Sequence, residues 1–405
     1  MSLSNTIHRH AMSVAAAAAL LLAATSLSAP VRAAEELHIG FVGVYSGPSA
    51  AWGISNKRSM EIRADWLNEK GGVTIGGKTY KIVIDSFDDQ KDSKLAIEGI
   101  QKMISKKIHY VVGPNTDDGA AAVRPDAEAK GVMYFPYAFP KNLYTKPASN
   151  AVLGMIADYQ SGPAIFKHLK DVEHSKTIAT IAANESDALT QRDGGVAAAK
   201  AAGFKIVGGM APYQSDTTDF TPVMTPVVKA KPDVIYLAGV SPAHAPRLIK
   251  AGRELGFKGR FIATTGMDAK VLKEGAGDAA NGFISVGGAS TPELASDTMK
   301  EFVARYTKKY GEYNDESNTK VYALDYILET LKANPKAMTD VTEFKKTMET
   351  FSAVNPFVIG GDKANMRLRY VGMSSFGQKR QIFVPMVINE YKNGEFKTLF
   401  VGQAD

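Results

Sequence analysis

No cysteine occurs among the 405 residues, which excludes a disulfide framework and also the lipid-modified cysteine that tethers many exported proteins to a membrane. Long apolar runs are scarce too. The longest, Ala11 to Ala24, has about 14 residues, short of the roughly 20 that a membrane-crossing helix needs. Neither sign of charge dominates. The formal net charge is +6, and lysines alternate with acids in Asp88 to Lys94 and Lys300 to Glu316, so there is no basic patch and no nucleic-acid partner is expected. With 45% hydrophobic and 22% charged residues the chain is ordinary globular protein rather than disordered. The seven histidines include no i, i+4 pair beside a carboxylate, and no serine sits in a G-x-S-x-G elbow. Neither a metal site, a cofactor nor catalysis is expected.

At the N-terminus, Arg9 flanked by His8 and His10 precedes the apolar run, and Val31 and Ala33 supply the small −3 and −1 side chains that a signal peptidase accepts. Residues 1–33 are therefore expected to be a cleaved secretory signal, with the mature chain starting at Ala34. Arg9 and Arg32 leave with it, reducing the charge to about +4. A free periplasmic protein of about two domains is expected.

Past this segment, short apolar runs alternate with helical patterns. Leu37 to Val44 ends at Ser46-Gly47-Pro48 and is followed by Met60, Ala64 and Leu67 on one helical face. Further strand-like runs are Tyr80 to Ser86, Tyr110 to Val112, Met133 to Phe135, Thr177 to Ala182, Lys205 to Met210, Val234 to Ala238 and Phe261 to Thr264. This alternation implies α/β architecture with doubly wound parallel sheets. One sheet rarely absorbs so many units, and the change of character between Tyr144 and Gly154 points to two lobes. After Gly282 to Val286 the chain turns helical, and Arg380 to Val387 and Glu395 to Phe400 form a final β-rich stretch. Gly72, Gly77, Lys78 and Thr79 match the pattern G-x-x-x-x-G-K-[ST], yet they follow a helix and lead into a strand. Phosphate binding needs the reverse order, so this segment reads as a surface turn.

Several segments together resemble the type I periplasmic binding proteins related to the leucine/isoleucine/valine receptor: Gly43-Val44-Tyr45-Ser46-Gly47-Pro48, Leu67-Asn68-Glu69-Lys70-Gly71-Gly72-Val73, Asp88-Asp89-Gln90, Val112-Gly113-Pro114, Thr218-Asp219-Phe220, Lys231-Pro232-Asp233-Val234-Ile235 and Gly277-Asp278-Ala279-Ala280-Asn281-Gly282. The resemblance implies two lobes joined by a three-strand hinge, closing like a flytrap on a small solute. Lobe 1 would be residues 34–155 and 288–358, lobe 2 residues 156–287 and 359–405. It also implies the receptor of an ABC importer of the branched-chain amino acid and amide class, monomeric, with an inner-membrane permease as partner. The same lobes could serve a signalling receptor, and an exported hydrolase would need a catalytic constellation that is not found.

The resemblance further implies ligand contacts at Trp52, Asn115, Thr116, Asp117, Tyr137, Ala138, Phe139, Asp187, Ser241 and Thr265. Trp52, Tyr137 and Phe139 would form a flat wall. Thr116 would help to hold a carboxylate. Asp117 reads first as a helix cap; facing the cleft, it would repel an anion or hold a donor group. Phe139 and Thr265 stand where amino-acid receptors carry the threonine and glutamate that hold the ligand's ammonium. Burying an ammonium uncompensated costs several kcal/mol, so an aromatic or short-chain acid, or an amide, is expected in preference to an ordinary α-amino acid.

Overall fold

A computed structural model describes residues 35–147, 150–311, 313 and 316–402; the expected signal segment lies outside them. Strand and helix alternate from β1 (Glu35–Gly43) and α1 (Ala50–Glu69) through β2 (Val73–Ile75), β3 (Lys78–Asp88), α2 (Ser93–Ser105), β4 (Tyr110–Val112), α3 (Asp117–Ala129) and β5 (Met133–Phe135). These strands form one sheet in the order β2-β3-β1-β4-β5, in which β1, β4 and β5 are parallel. Every residue of β4 and β5 is buried, as expected of strands covered on both faces. Side-chain caps start α2 and α3: Asp92 accepts from the N–H groups of Lys94 and Leu95, and Thr116 from that of Gly119. The phosphate-loop mimic is a hairpin turn, with Gly76 and Gly77 at positive φ and Ile75 paired to Lys78.

The second run comprises α4 (Asp158–Asp171), β6 (Thr177–Ile181), α5 (Ser186–Ala201), β7 (Lys205–Gly208), α6 (Thr221–Lys229), β8 (Val234–Leu237), α7 (Ala245–Glu254), β9 (Arg260–Gly266), α8 (Ala269–Gly275) and β10 (Ile284–Gly287). Then follow α9 (Asp297–Tyr310), α10 (Glu316–Ala333), α11 (Val341–Met348), β11 (Ser352–Ala353), β12 (Leu368–Val371), β13 (Gln381–Ile382), β14 (Met386–Lys392) and β15 (Glu395–Gly402). A seven-stranded sheet runs β15-β14-β10-β9-β8-β6-β7, and β11-β12-β13 make a small third one. In the larger sheet β6 to β10 are parallel, and β14 and β15 add antiparallel at the edge. The α/β, doubly wound reading therefore holds.

Three details differ from the sequence reading. The run Arg380 to Val387 is broken: β13 ends at Ile382 and β14 starts at Met386, because Pro385 cannot donate to a ladder. The run from Lys205 stops at Gly208, where Gly209 turns to φ +80°. Strand β12 carried no expectation; its Arg367-Leu368-Arg369-Tyr370 alternation is too short to stand out. A conformational requirement does show at Gly113, which has φ +95° and would place a Cβ 1.8 Å from the Val42 carbonyl oxygen. Only glycine lets β4 turn there into the loop that carries Asn115 to Asp117.

Candidate functional site

Strands β4, β5, β8, β9 and β10 deliver their following residues to one place, the carboxyl-end crevice where open α/β sheets hold ligands. The cleft between the two large sheets encloses about 820 Å³, part of it open to solvent. Asn115 follows β4, Tyr137 and Phe139 follow β5, Gly239 follows β8, and Thr264, Thr265, Gly266, Val286 and Gly287 end β9 and β10. Trp52 enters from the first turn of α1, Asp187 and Gln191 from α5, and Met155 and Ile156 from the segment before α4. The walls are thus aromatic and aliphatic, with a small set of polar groups set into them, as ligand sites commonly are.

The polar set is dominated by two carboxylates. Asp187 Oδ1 accepts the backbone N–H of Asp117, the first residue of α3, at 2.6 Å. Asp117 Oδ1 accepts the N–H of Phe139 at 2.9 Å, while its Oδ2 is buried without a hydrogen-bond partner. Burial, then the neighbouring Asp187 and Asp158, push the Asp117 carboxyl up to about 7, against the pull of the Phe139 amide and the Thr190 hydroxyl. Burial also raises Asp187; Lys91 and the Asp117 amide oppose the rise, and Asp118 and Glu185 reinforce it. Behind this pair, burial pushes Asp158 up to about 7 despite Lys141. Among the described residues, no lysine, arginine or histidine lines the cleft. Lys91 holds Glu185 at 2.5 Å, lies 3.8 Å from Asp187 Oδ2 and sits 5.7 Å from the centre of the Trp52 ring. Asn115 and Gln191 are buried, and both ends of the Asn115 amide and Oε1 of Gln191 lack partners.

Seven of the ten residues singled out from the sequence, Trp52, Asn115, Asp117, Tyr137, Phe139, Asp187 and Thr265, line this cleft. Three do not. Thr116 caps α3, its hydroxyl accepting the Gly119 N–H at 3.2 Å. Ala138 is fully buried, and its carbonyl accepts the Tyr144 hydroxyl at 2.6 Å. Ser241 lines a neighbouring hollow with Ser46, Ser49, Lys91, Glu185, Tyr213 and His244. The capping role read for Asp117 belongs to Thr116 instead, because Asp117 is already inside the helix and its carboxylate turns back to the Phe139 loop. Met155, Ile156, Gln191, Gly239, Thr264 and Val286 were missed. Gly239 carried a signal: it follows the apolar run of β8, and its φ of +57° brings the backbone so close that a Cβ would lie 2.7 Å from Ala188 Cα. Gln191, one turn beyond Asp187 on α5, could have been found from helix spacing.

A family model described as periplasmic binding protein matches residues 36–378. The Leu/Ile/Val/Thr-binding protein of Salmonella typhimurium is 25% identical over 256 residues, covering 62% of this chain and 67% of its own length. Among solved structures, the branched-chain amino acid transporter substrate binding protein LivJ of Streptococcus pneumoniae, in complex with isoleucine, superposes with a TM-score of 0.75 at 20% identity, covering 91% of this chain and 100% of that one. An ABC transporter solute binding protein of R. palustris in complex with benzoate gives 0.71 at 18% identity, covering 91% and 97%.

Proposed function

Because the chain belongs to the periplasmic binding protein family and has its type I fold, we propose that it is the solute receptor of an ABC importer of the branched-chain amino acid and amide class. It captures one small solute between two lobes and presents the closed form to an inner-membrane permease, without catalysis and as a monomer. Residues 1–33 direct its export to the periplasm. The ligand acts by binding the closed form better than the open one.

The observation that carries this reading is the cleft at the strand ends, where apolar walls surround Asn115, Asp117 and Gln191, buried groups with unused hydrogen-bonding capacity. Such groups are expensive to leave unpaired, and a bound solute would pair them. The proposed lobes are residues 34–155 with 288–358 and residues 156–287 with 359–405. The pairing of Ala353 with Leu368 and the edge-to-face packing of Tyr370 against Tyr326 and Phe344 support moving the last crossing beyond Ile382, into the stretch before β14.

An ordinary α-amino acid remains disfavoured, but for a different reason than the missing partners at Phe139 and Thr265. Asp117 and Asp187 supply negative charge; what the cleft lacks is a cation for a carboxylate. Of the solutes expected from the sequence, an acid fits the charge poorly and an amide fits better. Thermal-shift screening of the purified protein against amino acids, aromatic and short-chain acids, amides and amines tests the receptor role. A true ligand at 100 times its Kd stabilises by about 2.7 kcal/mol. A screen in which no small solute raises the Tm, or turnover of a model ester or amide, would defeat the proposal.

A further inference from the structure

The charge and bonding of the cleft specify more than a solute of the right size. The N-terminal amides of a helix are an anion site, and in α3 the first of them, on Asp117, is already occupied by the protein's own Asp187 carboxylate at 2.6 Å. A ligand carboxylate entering there would meet two acids and no lining cation. The free acceptor Asp117 Oδ2 belongs to a side chain 3% exposed, and Asn115 and Gln191, with unpartnered amide atoms, are 8% and 7% exposed. Around them stand the rings of Trp52, Tyr137 and Phe139, whose faces attract a cation.

We propose that the cleft is built for a small organic cation without a carboxylate, an amine or amidine on an aromatic or branched apolar body, with Asp117 as its counter-ion and Asp187 as a fixed anion that excludes acids. This rests on the solute-receptor reading. The charged groups facing the pair add up to the same preference. Lys91 is balanced by Glu185 at 2.5 Å, Asp118 and Glu185 add negative charge around Asp187, and Asp158, opposed by Lys141, adds it behind Asp117. A neutral amide would satisfy Asn115 and Gln191 but leave the carboxylate pair uncompensated. A cation neutralises it and holds Asp117 in its ionised form, so binding releases a proton near neutral pH and weakens as pH falls.

Isothermal titration of the full-length protein at about pH 7.5 with benzylamine, benzamidine, benzamide, benzoate, isobutylamine, isobutyrate and leucine decides the matter. The cations are expected to bind at least about tenfold more tightly than the matched amide, a difference of about 1.4 kcal/mol, with no measurable binding of the acids. Repeating the titration in buffers of different ionisation enthalpy should show proton release, and affinity should fall up to about tenfold per pH unit below 7. Asp187→Asn, which keeps an acceptor for the Asp117 amide, should weaken amine binding at least about tenfold. If that variant does not fold, the ligand series on the unaltered protein is itself decisive. Benzoate, isobutyrate, benzamide or leucine binding as tightly as the amines overturns this inference and leaves the receptor role standing. Failure of every compound, and of the wider solute screen, overturns both.

Discussion

Asp117→Asn isolates the electrostatic cost of placing the Asp117 carboxylate beside Asp187. The asparagine Oδ1 still accepts the Phe139 N–H that Asp117 accepts at 2.9 Å, so shape and the main hydrogen bond persist while the charge beside Asp187 disappears. The Asp117 carboxyl stands at about 7 in the fold against about 3.9 unfolded. Its folded value is raised, so the folded state binds the extra proton, and the stability of the ligand-free protein falls as pH rises from about 4 to about 7. A rise of this size corresponds to a cost on the order of 4 kcal/mol above pH 7 and very little at pH 4. The variant should therefore be nearly as stable as the parent at pH 4 and more stable by up to about 4 kcal/mol at pH 8. Urea denaturation of both proteins between pH 4 and 8, with unchanged m-values, reads this as a midpoint difference that widens with pH. A gap independent of pH, or a variant weaker than its parent at pH 8, would refute the assignment of a strained carboxylate pair to this site.

Two further perturbations probe the framework around the cleft. Arg63 and Asp325 form a buried bidentate pair, with Nη2 to Oδ1 at 2.7 Å and Nε to Oδ2 at 3.0 Å, tying α1 to α10. Asp325→Ala would strand the guanidinium and should cost about 3–5 kcal/mol in urea denaturation, whereas the double change Arg63→Met with Asp325→Leu should recover most of that loss; equal losses would contradict it. Lys91 reaches from the β3–α2 connection to Glu185 beside α5, and both side chains are partly exposed. Lys91→Ala should weaken this contact across the cleft by about 1 kcal/mol or less, seen as a larger radius of gyration of the ligand-free protein by small-angle scattering at low salt; identical scattering would show that this contact does not hold the cleft.

The fold was legible where local pattern and burial agree. The wholly buried runs Tyr110–Val112 and Met133–Phe135 read as strands because nothing polar interrupts them, and their loops read as functional through the resemblance to periplasmic binding proteins. The small sheet of β11 to β13 was only partly legible: Gln381–Ile382 fell within the expected run Arg380 to Val387, but β11 and β12, two and four residues long, leave too little period to detect and depend on packing around Tyr326 and Tyr370. In the cleft, residues on loops directly after strands were recoverable by position. Thr116 and Ser241 were not assignable, because a hydroxyl near a helix start serves equally as cap or contact, and only geometry shows the Thr116 hydroxyl committed to Gly119.

The meeting of Asp117 with Asp187 was the least legible feature, and it controls the chemistry. Separated by 70 residues and attached to different sheets, the two acids look in sequence like separate first-turn residues of α3 and α5, each favourable to its own helix dipole. Brought together in a cleft without a lining cation, they become an unfavourable pair, and burial raises both. A fold driven only toward stability would replace one of them, since an asparagine makes the same backbone contact. A ligand that neutralises the pair displaces the proton held on Asp117, and this coupling between protonation and ligand binding is reciprocal. On the proposed reading a positively charged ligand is favoured over an equally shaped neutral one, and the pH dependence of its affinity reports the same Asp117 proton as the pH-dependent stability of Asp117→Asn.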